Sequence, residues 1–290
     1  MDVTRREEPT GMTAYDGLKL HRRTLVLDGR AYAVLGLRPG TTERFAVDEF
    51  HGHRQIVTHR SGALLLGSLL WGMAHRRARN TVLVIDRPFL DANPFDAEPS
   101  PAIVVVPAQA APFGDRAARE LRRRLPLSTP SEGTVRLRTP GFAEALADRQ
   151  AWFAARPPRR FDGYDERHRR PVIGMRAGLL VLPGTTRWLC EWAVDIGSLD
   201  PADPGPARGS GRVYDAIHTD FSLEVHVFDN YRDRVTAARL ARAQVTAEHP
   251  ALRDPHVLRP LVRERNTDIH VRMRRDRTAR RTASRRDAPS

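Results

Sequence analysis

Residues 217–227 read Ile217-His218-Thr219-Asp220-Phe221-Ser222-Leu223-Glu224-Val225-His226-Val227. Two imidazoles and two carboxylates at alternate positions can do chemistry together if this segment is a strand, because a strand sends successive side chains to opposite faces. One face then carries Ile217, Thr219, Phe221, Leu223, Val225 and Val227; the other carries His218, Asp220, Ser222, Glu224 and His226. Neighbours on one face lie about 6.5–7 Å apart at the backbone. His218 with Asp220, or Glu224 with His226, can bind a divalent metal or act as an acid/base pair. The segment therefore defines one functional reading, a metal-assisted hydrolase or acid/base enzyme. In it His218, Asp220 and His226 hold the metal and Glu224 is a catalytic carboxylate. The same alternation also describes a half-buried sheet whose polar face meets water.

Asp86 is a second catalytic candidate. It directly follows the apolar run Thr81–Ile85, and ligands commonly sit at the carboxyl ends of buried strands. Aspartate also favours turns, where it bonds its own backbone. His51-Gly52-His53, with His59 six positions on, places imidazoles near one another without a third zinc ligand at a diagnostic spacing. Cys190, the only cysteine, stands between Trp188 and Trp192 and reads as a small buried hydrophobe in a strand. With one cysteine, an intramolecular disulfide is excluded. No serine sits in a Gly-x-Ser-x-Gly elbow, and neither a phosphate-binding loop nor a dinucleotide fingerprint is present.

The second reading rests on charge. The net charge is +13, and all basic residues except Lys19 are arginine. Residues 271–290 hold Arg272, Arg274, Arg275, Arg277, Arg280, Arg281, Arg285 and Arg286 against Asp276 and Asp287, so +6 of the excess lies in the last twenty positions. After Met273 the stretch has no apolar residue larger than alanine, which predicts a disordered tail from residue 266 onward. Such arginines neutralise phosphates and release counterions. The expected partner is a nucleic acid or an acidic protein surface, which makes the chain an interaction protein.

The elements that must position these residues predict an α+β fold, a mixed or antiparallel sheet with packed helices. Asp28-Gly29 joins strands Thr24–Leu27 and Arg30–Leu37 as a hairpin. A short helix is expected after Thr41-Thr42, and a strand over Arg54–Thr58. The apolar run Gly62–Ala74 would reach only about 20 Å as a helix, short of the roughly 30 Å hydrocarbon layer, which predicts a buried helix and no transmembrane segment. Strands are expected at Thr81–Ile85, Ala102–Val106, Thr134–Arg138, Met175–Leu182, Arg187–Ile196 and Val213–Phe228. Helices are expected at Asp115–Leu125, Phe142–Ala155 and Arg232–Glu248, with a less regular one around Pro250–Arg265. The domain reading is a flexible start (1–20), an α/β-like half (21–155), an antiparallel half with C-terminal helices (171–265) and the tail (266–290). Residues 156–170 form the boundary between the halves. The polar N-terminus lacks the apolar core of a signal peptide, which points to the cytoplasm.

Overall fold

Asp28 and Gly29 both adopt positive φ (49° and 71°) in the computed structural model, which describes residues 15–50, 53–156, 172–201, 211–215 and 223–286. They close the expected hairpin between β1 (Leu18–Leu27) and β2 (Arg30–Gly36). β3 (Ala46–Phe50) and β4 (His53–Thr58) follow, then α1 (Arg60–Ala74), β5 (Thr81–Ile85), β6 (Ile103–Pro107), α2 (Asp115–Arg123) and β7 (Gly133–Leu137). Two short helices, α3 (Phe142–Ala147) and α4 (Arg149–Ala154), precede β8 (Gly174–Arg176), β9 (Leu179–Gly184) and α5 (Thr186–Gly197). Then come β10 (Gly211–Asp215), β11 (Leu223–Phe228), α6 (Tyr231–Glu248) and α7 (Pro255–Arg286).

These elements form an α+β fold around two sheets. The larger has the order β7-β1-β2-β5-β6-β9-β8 and the smaller β10-β11-β4-β3. β5 runs parallel to β2, β9 to β6 and β11 to β4; the other neighbours are antiparallel. α1 and α5 lie between the sheets, packed on each other and on inward-facing residues of both, such as Leu83 and Val105 from one and Ile56 and Val225 from the other. This placement explains why the Gly62–Ala74 run has no polar face: α1 is covered on every side. Its glycines let it come close. A Cβ at Gly67 would stand 2.7 Å from the Ala193 carbonyl oxygen, and one at Gly72 would stand 2.4 Å from Leu137 Cγ. α2 covers the far face of the larger sheet through Ala117, Ala118 and Leu121. Among the described residues no helix is long and apolar enough to cross a membrane.

Several elements depart from the sequence expectation. No helix follows Thr41-Thr42; residues 41–44 are irregular and lead into β3. Phe142–Ala155 is broken at Asp148, whose carboxylate accepts the Ala151 N–H and restarts the helix as α4. Met175–Leu182 is a hairpin, turning at Ala177 and Gly178 with φ of 51° and 77°. Arg187–Ile196 is helical, not extended. The β-forming tryptophans and valine favour a strand, but Thr185 caps the helix at the Trp188 N–H, and Arg187 pairs with Glu191 one turn on. Val213–Phe228 is not one strand, because β10 and β11 pair antiparallel with Asp215 opposite Glu224. β9 pairs with β6 and β11 with β4, so residues on both sides of the segment 156–170 contribute strands to both sheets.

The C-terminus differs as well. α7 is continuous from Pro255 to Arg286, where the composition predicts coil from 266. Its first half packs on α6 through Leu258, Val262 and Ile269, with Met273 at the end of that seam. Once these turns are fixed, nucleation is already complete, and the arginines and alanines beyond are good helix formers that extend it at little cost.

Candidate functional sites

β11 keeps the expected alternation over its described length. Leu223, Val225 and Val227 enter the core, while Glu224, His226 and Phe228 are half-buried on the opposite face. His226 Nε2 donates to Glu224 Oε2 at 2.7 Å, and the same oxygen accepts an N–H from Gln55 on β4 at 2.9 Å. An imidazole held this way is oriented for proton transfer through its other nitrogen. His218 and Asp220, with the rest of residues 216–222, lie outside the described residues. Among the described residues no three histidine, cysteine, aspartate or glutamate side chains converge as metal ligands.

Asp86 is elsewhere. It closes β5 as expected, 7% exposed, with Oδ2 accepting the Leu127 N–H at 3.0 Å. It lines a cleft of about 420 Å³ between the carboxyl end of β5, the outer edge of β3 and the β8–β9 turn. Glu224 and His226 do not line that cleft, so the structure does not join Asp86 to the β11 pair in one site.

The remaining candidates have structural surroundings. His51 lies outside the described residues, as does the side chain of His53. His59 is the residue before α1, and its ring stacks on Tyr231 at the start of α6, with centroids 5.9 Å apart. Burial holds its pKa below the ordinary histidine value. Cys190 is buried in α5, and desolvation pushes its thiol up to about 11, which leaves it protonated and unreactive at neutral pH.

The cationic end of the chain is the most extended feature. Arg272, Arg274, Arg275 and Arg277 are exposed along α7. Arg277 pairs with Asp233 in the first turn of α6. The α7 backbone then continues for nine residues past that contact, through Arg280, Arg281, Arg285 and Arg286, whose side chains lie outside the described residues.

Sequence reasoning missed what anchors this helix. Arg263 reaches Asp48 at 2.7 Å and Asp96 at 3.0 Å, two carboxylates only 3% and 1% exposed. Asn93 also donates to Asp48, Arg259 pairs with Glu98, and Asn266 donates to the carbonyls of Pro94 and Phe95. The signal was the spacing of Arg259, Arg263 and Asn266 at i, i+4 and i+7, a polar stripe on one helix face. Compared with known proteins, the chain matches no family model, no curated protein and no solved structure.

Proposed function

We propose that this chain is an interaction protein that binds a polyanion, of the nucleic-acid class, through the arginine-rich end of α7. The observation that supports this reading is the course of α7. The helix is pinned to the body by Arg259, Arg263 and Asn266, then continues as a cationic rod beyond Arg277. In sequence the stretch after Met273 carries no aliphatic or aromatic residue larger than alanine, a composition that suits neither insertion in a lipid layer nor an apolar seam with another helix. Guanidinium groups in this setting bind phosphates without reading sequence, so affinity depends on salt.

The test compares the full chain with one ending at Met273, which keeps the packed half of α7. Binding to a labelled DNA duplex of about twenty base pairs is followed by fluorescence anisotropy across a salt series. The full chain should show a slope of log K against log salt near −5, the value for roughly six neutralised phosphates, and truncation should weaken binding about tenfold or more. Equal affinity and slope for the two chains, with matching thermal melts, would remove the proposal.

A further inference from the structure

We infer that the cleft at the carboxyl end of β5 binds a small molecule carrying an oxyanion and a hydrogen-bond donor, of the class of sugar phosphates and sugar acids. This reading does not depend on the arginine-rich end of α7. The cleft's volume of about 420 Å³ falls within the range of small-molecule sites. Its position suits the role, because β5 is buried along its whole length and delivers Asp86 to the cleft wall.

Charge bookkeeping in the walls identifies the complement. Most of the charged groups there are already matched: Glu49 faces Arg54 at 3.8 Å, Glu98 pairs with Arg259, and Asp48 is held by Arg263. Three remain. Arg87 and Arg122 are exposed at the cleft with no carboxylate within 4 Å among the described residues, and Asp86 has no cation at that distance. Arg122 Nη1 donates to the Gly178 carbonyl at 2.8 Å, which holds its guanidinium beside the β8–β9 turn. Asp86 receives one backbone N–H, leaving acceptor capacity on a carboxylate that burial has stripped of most of its water.

A ligand with an anionic end for the two guanidiniums and a hydroxyl for Asp86 fills both needs. Leu90, Leu125, Pro126 and Met175 supply an apolar flank for the carbon skeleton between them. Arg54 and Arg259 each also keep a buried Nε–H with no acceptor among the described residues, so the wall has donor capacity to spare.

Isothermal titration calorimetry with glucose 6-phosphate, gluconate and glucose at fixed ionic strength tests this. Saturable binding of glucose 6-phosphate or gluconate, but not of glucose, is expected, and which of the two binds tells phosphate from carboxylate. The R87Q/R122Q double variant should weaken that binding about tenfold or more, the loss of a charge-assisted contact. D86N, which keeps an oxygen for the Leu127 N–H, should weaken the sugar anion and leave inorganic phosphate unchanged. Absence of saturable heat from both anions, equal binding of glucose, or full retention in R87Q/R122Q would overturn the inference. The last outcome would place the anions on other arginines, α7 included.

Discussion

His59 meets α1 at the end where the helix carries partial positive charge, so a protonated imidazole is unwelcome there. Burial against Tyr231 acts in the same direction and holds the folded-state pKa below the ordinary 6.5. A depressed pKa favours the neutral ring. It contributes stability that is present above the ordinary histidine range and is lost as pH falls through the folded value. The difference in unfolding free energy between the wild type and His59→Gln should therefore shrink between about pH 7.5 and about pH 5. Urea denaturation at both ends of that range measures it, and a constant difference would show that the ring is not held neutral. The sequence marked His59 only as an imidazole near His51 and His53. Its real partner is Tyr231, far along the chain, and no local spacing announces such a contact. Glu224 and His226 were legible for the opposite reason, since a period of two is a local property of a strand.

At the scale of elements, α1 shows what a uniformly apolar helix implies. Its run was readable because every residue after Ser61 is apolar or small; that two sheets and α5 cover it was not, since the partners come from distant segments. The close approach at Gly67 makes a specific demand. Gly67→Ala would set a methyl group 2.7 Å from the Ala193 carbonyl oxygen and 3.0 Å from Phe142 Cζ. The variant should lose about 1–3 kcal/mol in chemical denaturation, despite alanine's better helix propensity. A gain in stability would mean that α1 and α5 separate more easily than their packing indicates. α5 was misread for a related reason. Trp188, Cys190 and Trp192 alternate as a strand would, yet the cap at Thr185 and burial on α1 decide for helix.

Across the whole molecule, the α6–α7 hairpin is joined to the smaller sheet by charge as well as by apolar contact. Arg263→Ala would strand Asp48 and Asp96, both almost fully buried, without their shared cation. Breaking a buried ion pair from one side costs about 3–5 kcal/mol. Hydrogen exchange should show α7 losing protection ahead of the larger sheet, and simultaneous loss everywhere would argue that the hairpin unfolds only with the body. The α+β class was readable from periodicity and turn residues. That strands from both sides of segment 156–170 pair with one another was not readable, because a polar, proline-rich composition does not announce long-range strand pairing. Sharing strands across that segment carries a consequence for synthesis. When a ribosome has delivered the chain as far as Leu199, β4 exists but β11, its parallel neighbour, does not. One side of α1 then awaits Leu223, Val225 and Val227. Until those residues emerge, the nascent protein presents an open strand edge and bare apolar surface, the kind of state that chaperones recognise.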